Sequence, residues 1–152
     1  ELIIVLSKLG DKVYRRVTNM INKNFKFLGD DQPDAYTSSK QLHPKYLEEF
    51  NKKNPDFPDV YYQSYMSNMK SVKSDGLLSV PFIILKIMTG DNDGLVSLES
   101  AKWGEFKGYL TSESGPGVSH GGAIDLLRKD YEDFDITEKY IEIVSELKEK
   151  GF

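Results

Sequence analysis

The residues whose types and spacing offer chemistry stand together late in the chain, in Gly117-Val118-Ser119-His120-Gly121. A serine between two glycines at this spacing matches the strand–turn–helix elbow that presents a nucleophilic hydroxyl. The histidine beside it offers a second chemistry, proton transfer by an imidazole. An imidazole in that role needs a carboxylate to fix its tautomer and to stabilise its charged form. Asp93 is the candidate partner, in Asn92-Asp93-Gly94 after an apolar segment. The same composition is that of an ordinary turn, so a plain loop stands beside the acid–histidine reading. Two features argue against the elbow. Residues 109–116, Tyr-Leu-Thr-Ser-Glu-Ser-Gly-Pro, do not read as a buried strand leading into it. The nucleophile–acid–histidine order also requires a histidine downstream, and the only other one is His43. Ser119 therefore reads as a small residue that lets a loop turn, and the weight falls on His120 with Asp93.

These side chains need elements to position them. Apolar residues at Leu2, Val5, Leu6, Leu9, Val13, Val17, Met20 and Ile21 predict one or two helices over residues 1–22, with a break near Gly10. Residues 28–40 are polar and read as a loop. A helix over residues 42–53 has Pro44 in its first turn, where a missing N–H costs nothing, and Leu42, Tyr46, Leu47 and Phe50 as its stripe. Val60 to Tyr65 reads as a strand. Pro81 to Met88 reads as a buried strand or the end of a helix, which periodicity does not separate over so few residues. Thr89 to Val96 is a sharp loop, and residues 97–103 hold one helical turn or two. Trp103 is expected to pack as a partly buried anchor. Ala123 to Arg128 reads as helical, and Ile136 to Lys150 as a closing helix with Thr137 at its cap and Ile141, Val144 and Leu147 on one face. No internal repeat or low-complexity tract is visible.

The bulk properties bound the function. At 152 residues the chain predicts a single domain. A net charge of −4 argues against a nucleic-acid partner, which favours a basic face. With no cysteine there is no disulfide framework and no thiolate metal site. Leu2 to Leu6 is too short an apolar run to span a membrane and lacks the basic start of a signal peptide. Helices outnumber strands, fewer than an open parallel sheet needs.

Four stretches in order carry a resemblance. Leu42 through Phe50-Asn51 to Pro55, Val60-Tyr61-Tyr62-Gln63-Ser64-Tyr65, Asn92-Asp93-Gly94-Leu95-Val96 and the loop at His120 resemble bacterial triacylglycerol lipases of the α/β-hydrolase fold. The resemblance implies an α/β fold, specifically its C-terminal part, helix-rich with few strands and an incomplete central sheet. It implies that residues 1–152 are a fragment of a larger hydrolase domain. It assigns the triad acid to Asp93 and the triad histidine to His120, with the nucleophile serine outside the chain, so that the chain alone is inactive. Its substrate class is a lipid or another carboxylic ester, and its chemistry requires no cofactor. Such lipases are commonly secreted and often bind a structural calcium near the histidine loop. Gly122 stands here where the family places one calcium aspartate, leaving Asp125 nearby and Asp75 as the ligands the resemblance suggests. Implied partners are the N-terminal half of the same protein and, through an exposed apolar face, a second copy of the chain.

A reading from a different class stands beside this one. An acidic, helix-rich chain of this size also suits a non-catalytic protein-interaction or assembly module that retains hydrolase-like loops. The two readings differ over Asp93 and His120: hydrogen-bonded in the enzyme, apart and solvated in the module.

Overall fold

A computed structural model describes residues 8, 10–27, 29–126 and 128–152, with the side chain of residue 24 excepted. Most of the expected helix before Gly10 lies outside the described residues. The chain forms two compact units, Glu1–Val60 and Tyr61–Phe152. Among the described residues no helix is long and apolar enough to cross a membrane.

The first unit is helical. Helix α1 (Asp11–Phe27) begins where the expected break lies, with the Gly10 carbonyl accepting from the N–H groups of Val13 and Tyr14. Helix α2 (Ala35–Gln41) occupies sequence that reads as loop. Its signal is a cap rather than a stripe: the Asp34 carboxylate accepts from the Thr37 N–H, and no α2 residue is buried. The two helices meet through Tyr14, whose hydroxyl lies 2.5 Å from the Ser39 hydroxyl, and through the Asn22 side-chain oxygen, which accepts from the Ala35 N–H. Helix α3 (Pro44–Lys53) has Pro44 in its first turn as expected, but its stripe of Leu42, Tyr46, Leu47 and Phe50 is exposed.

The second unit is a helix-rich α/β arrangement built on two parallel strands, β1 (Gln63–Ser67) and β2 (Glu105–Leu110). β1 starts three residues later than its aromatic run suggests. β2 covers residues with no clear strand signal, because Lys107 and Gly108 interrupt the alternation. Between Ser64 and Met66 the register slips by one residue, and the strands end side by side at Ser67 and Leu110. The connection between them carries helix α4 (Ser79–Thr89) and the single turn α5 (Leu98–Ala101). Pro81 to Met88 is thus helical. It turns Phe82 and Leu85 into a core shared with Met66, Met69, Leu110 and Val118, while Val80, Ile83 and Ile87 face outward.

After β2 a glycine- and serine-rich loop leads to one short 3-10 turn (Gly122–Ile124), not the helix expected over 123–128. Asp125 and Arg128 adopt positive φ there, which ends helical propagation. Helix α5 is followed by an exposed Trp103, which is not the packed anchor expected. The closing helix α6 (Ile136–Glu149) is capped by Asp135, whose carboxylate accepts from the N–H groups of Thr137 and Glu138, so the cap is two residues earlier than Thr137. Ile136 is buried, whereas Ile141 and Val144 are exposed.

Candidate functional site

The segment that follows β1 organises the site. Two loops are bonded to it. The Met69 N–H donates to the Asn92 carbonyl, which holds the acid loop of residues 91–96. The Asn68 carbonyl accepts from the Val118 N–H, and the Pro116 carbonyl accepts from the N–H groups of Lys70 and Ser71, which holds the histidine loop. Gly117 sits at φ +80, and a Cβ there would lie 2.3 Å from the Asn68 carbonyl oxygen. Only glycine allows this approach of loop to strand end.

The acid loop is over-determined by its own hydrogen bonds. Asn92 is fully buried, donates to the carbonyls of Phe82 and Gly90, and accepts from the Gly94 N–H. It thereby ties the loop to α4. Gly94 has φ +97, and a Cβ would come within 2.8 Å of the Leu78 side chain. Asp93 is 4% exposed. Its Oδ1 accepts from the N–H groups of Leu95 and Val96, at 3.0 and 2.8 Å. Its Oδ2 accepts from the Ser67 hydroxyl at 3.1 Å and lies 2.8 Å from His120 Nδ1. The main chain repeats the pairing, since the His120 N–H donates to the Asp93 carbonyl at 2.9 Å.

This geometry defines the proton inventory. A carboxylate only accepts, so the neutral His120 ring carries its proton on Nδ1 and leaves Nε2 with a free lone pair. The His120 side chain is 51% exposed. Burial pushes the Asp93 carboxyl up, but the hydrogen bonds from His120, Leu95 and Val96 and the charge on the imidazole outweigh it, and the group sits below the ordinary carboxylate value. The hydrogen bond to Asp93 holds the His120 pKa above 6.5, against the opposing effect of partial burial. The pair therefore stabilises an imidazolium that faces open space. Beside it lies a cleft of 450 Å³ lined mainly by apolar side chains, including Met66, Val96, Leu110, Ile124 and Ile143.

Ser119 is a different kind of residue. It is 0% exposed. Its hydroxyl donates to Asp75 Oδ2 at 3.1 Å and accepts from the Gly122 N–H, which starts the 3-10 turn. Its neighbour in the pentapeptide faces the cleft, and Ser119 itself is sealed into the loop's support. The strand β2 that precedes the loop ends at Leu110, nine positions before this serine, so no strand runs directly into it.

The calcium ligands suggested by the resemblance do not gather into a cage. Asp75 is buried, and its oxygens already accept from the Leu77 N–H, the Leu78 N–H and the Ser119 hydroxyl. Asp125 is exposed at positive φ. Burial raises the pKa of the Tyr131 hydroxyl, and the charges of Asp75 and Asp125 raise it further. No group of three or more His, Asp or Glu side chains that could hold a metal occurs among the described residues. Asp75 and Asp125 are two carboxylates, whereas calcium takes six to eight oxygen ligands.

Two supporting residues, Ser67 and Asp133, carried no sequence signal, and Asp75 was expected as a calcium ligand rather than as a partner of Ser119. Ser67 and Asp75 reach their partners from 26 and 44 residues away. Asp133 accepts from the Ser112 hydroxyl and from the N–H groups of Ser114 and Glu113, and these bonds lower its carboxyl to about 2. It clamps the start of the histidine loop.

The chain is similar to triacylglycerol lipase 2 of Saccharomyces cerevisiae, with 31% identity over 127 residues. That match covers 74% of this chain and 37% of the yeast protein, so the chain corresponds to little more than a third of that relative. The chain is thus related in part to a lipase. No protein-family model and no solved structure matches it.

Proposed function

We propose that this chain carries the acid and the histidine of a serine ester hydrolase, with Asp93 and His120 in those roles and the nucleophile serine outside these 152 residues. The observation that carries the reading is the 2.8 Å contact between a buried Asp93 and a half-exposed His120. Nε2 of His120 removes the proton from the attacking hydroxyl and delivers it to the leaving alcohol. Asp93 holds the Nδ1–H tautomer and stabilises the imidazolium that forms between those steps. The oxyanion-stabilising N–H groups belong, like the nucleophile, to the rest of the protein. The relative's name supports a lipid ester as substrate. The fold that accommodates this arrangement is the C-terminal part of an α/β-hydrolase.

The exposed apolar residues support a partner for this chain. Ile87 of α4 is 81% exposed, with Val80 and Ile83 exposed on the same helix, and Leu77 just before it is 90% exposed. In this reading they pack against the N-terminal half of the same protein, and an isolated chain associates with itself through them. A 4-nitrophenyl butyrate assay tests the proposal. The isolated chain is expected to give no turnover above buffer. In the longer protein, Asp93→Ala and His120→Ala are each expected to cripple turnover. Normal activity in either variant rejects that residue's role.

A further inference from the structure

We infer that Ser67 is a positioning residue of the acid–histidine pair: from the end of β1, its hydroxyl holds the Asp93 oxygen that His120 uses. The inference rests on the proposed roles of Asp93 and His120.

A carboxylate offers about four lone-pair sites. On Asp93 all four have partners: Leu95 N–H and Val96 N–H on Oδ1, Ser67 hydroxyl and His120 on Oδ2. The first two donors belong to the same tight loop as Asp93 and move with it. Ser67 is the side-chain donor from the sheet. It is the last residue of β1, registered against Leu110 of β2, and is 4% exposed. A buried hydroxyl is costly unless bonded. Here it is bonded to the same oxygen as the imidazole.

That sharing has two consequences. Together with the Leu95 and Val96 N–H groups on Oδ1, which still hold the carboxylate's rotation when Ser67 is changed, it keeps Oδ2 directed at Nδ1. It also draws charge from Oδ2 and moderates its pull on the imidazolium, because a donor to the charged form of an acid lowers its basicity. Asp93 is the one charged group that acts on His120 among the described residues, so a change at Oδ2 reads out at the ring. Loss of the Ser67 hydroxyl leaves Oδ2 more basic and tightens its hold on protonated His120. A side chain that merely filled space would leave His120 unmoved.

The test is an NMR titration of the ring protons in the 152-residue chain. The chain has two histidines, so His43→Gln assigns the pair of signals, and His43 serves as internal control. Ser67→Ala is expected to raise the His120 midpoint by about 0.5 pH unit, roughly a threefold change in its protonation equilibrium. Ser67→Thr keeps the hydroxyl and is expected to restore the original midpoint. Where Ser67→Ala does not fold, Ser67→Cys supplies a weaker donor and is expected to fall between. An unchanged or lowered midpoint in Ser67→Ala, or equal shifts in the alanine and threonine variants, overturns the inference. Asp93→Asn is the control for the reading beneath it: that variant must lower the His120 midpoint, and a failure to do so removes the acid–histidine pair itself.

Discussion

Ser119 and His120 are consecutive residues, and each touches a buried carboxylate, Asp75 at 3.1 Å and Asp93 at 2.8 Å. The first pair is closed on all sides. The second is buried at its acid end and open at its histidine end. Pairing to a carboxylate therefore does not by itself distinguish the residue proposed to work from the one that supports the loop. What separates them is whether the far atom of the paired group meets space. The Ser119 hydroxyl is already used twice, as donor to Asp75 and acceptor from Gly122, and has no lone pair directed at a substrate. His120 Nε2 is unengaged by its partner and adjoins the apolar cleft.

The largest effect that breaks this comparison comes from the open pair. In the longer protein proposed above, His120→Ala is expected to lower kcat on the order of 10⁴-fold or more, and Asp93→Asn by a comparable factor, because the proposed relay loses its base or its tautomer control. Steady-state turnover of a short-chain ester measures both. An Asp93→Asn enzyme within tenfold of the original contradicts the assignment.

The closed pair should behave oppositely. Ser119→Ala leaves a buried carboxylate one donor short, which costs about 1–3 kcal/mol of stability. For a small unit that lowers Tm by roughly 4–8 °C per kcal/mol. Turnover per folded molecule is expected to persist. Gly117→Ala probes the support beneath both pairs. Its positive φ and the close Asn68 carbonyl predict a cost of about 1–3 kcal/mol or more, read as a lower denaturant midpoint.

The pH dependence sharpens the same contrast. His120 must be neutral to act as a base, and its pKa is raised by Asp93. Activity is therefore expected to rise with pH through a midpoint above 6.5, and that midpoint should fall in Asp93→Asn. Stability runs the other way at this residue. The raised His120 value contributes stability that is complete below its unfolded pKa and is lost as pH rises through the folded one. The lowered Asp93 value contributes stability that is complete above its unfolded pKa and is lost as pH falls through the folded one. The pair is thus most stabilising between about pH 4 and 6.5, which a Tm series across pH checks against Asp93→Asn. The smallest effect concerns metal: with Asp75 already occupied by protein donors, EDTA and added calcium are both expected to leave Tm unchanged.

How much of this was legible depends on the range of the signal. The contact between Asp93 and His120 was legible because local chemistry marks both positions. Asn92-Asp93-Gly94 is a turn composition that carries a carboxylate, and the glycines around His120 mark a loop that must approach other backbone closely. Helix α3 was legible from Pro44 and its stripe, although the stripe is exposed. Helix α2 was not, because it buries nothing and so has no apolar period. β2 was missed because a bulge at Lys107 and Gly108 breaks the alternation. Ser67, and the pairing of Asp75 with Ser119, were illegible for a different reason. Their roles depend on partners brought together by the parallel pairing of β1 and β2 and by the strap after β1, and no local pattern encodes that. The burial of Ser119 agrees with a small loop residue rather than a nucleophile, and its partner is Asp75, the residue expected as a metal ligand.

The most direct test uses a fluorophosphonate probe, which labels serines activated by a histidine, with the modified residue mapped by mass spectrometry. The expected result is no label on Ser119 in the 152-residue chain, and in the longer protein a label on a serine outside residues 1–152 that disappears in His120→Ala. A label on Ser119, or a label elsewhere that survives His120→Ala, contradicts the account.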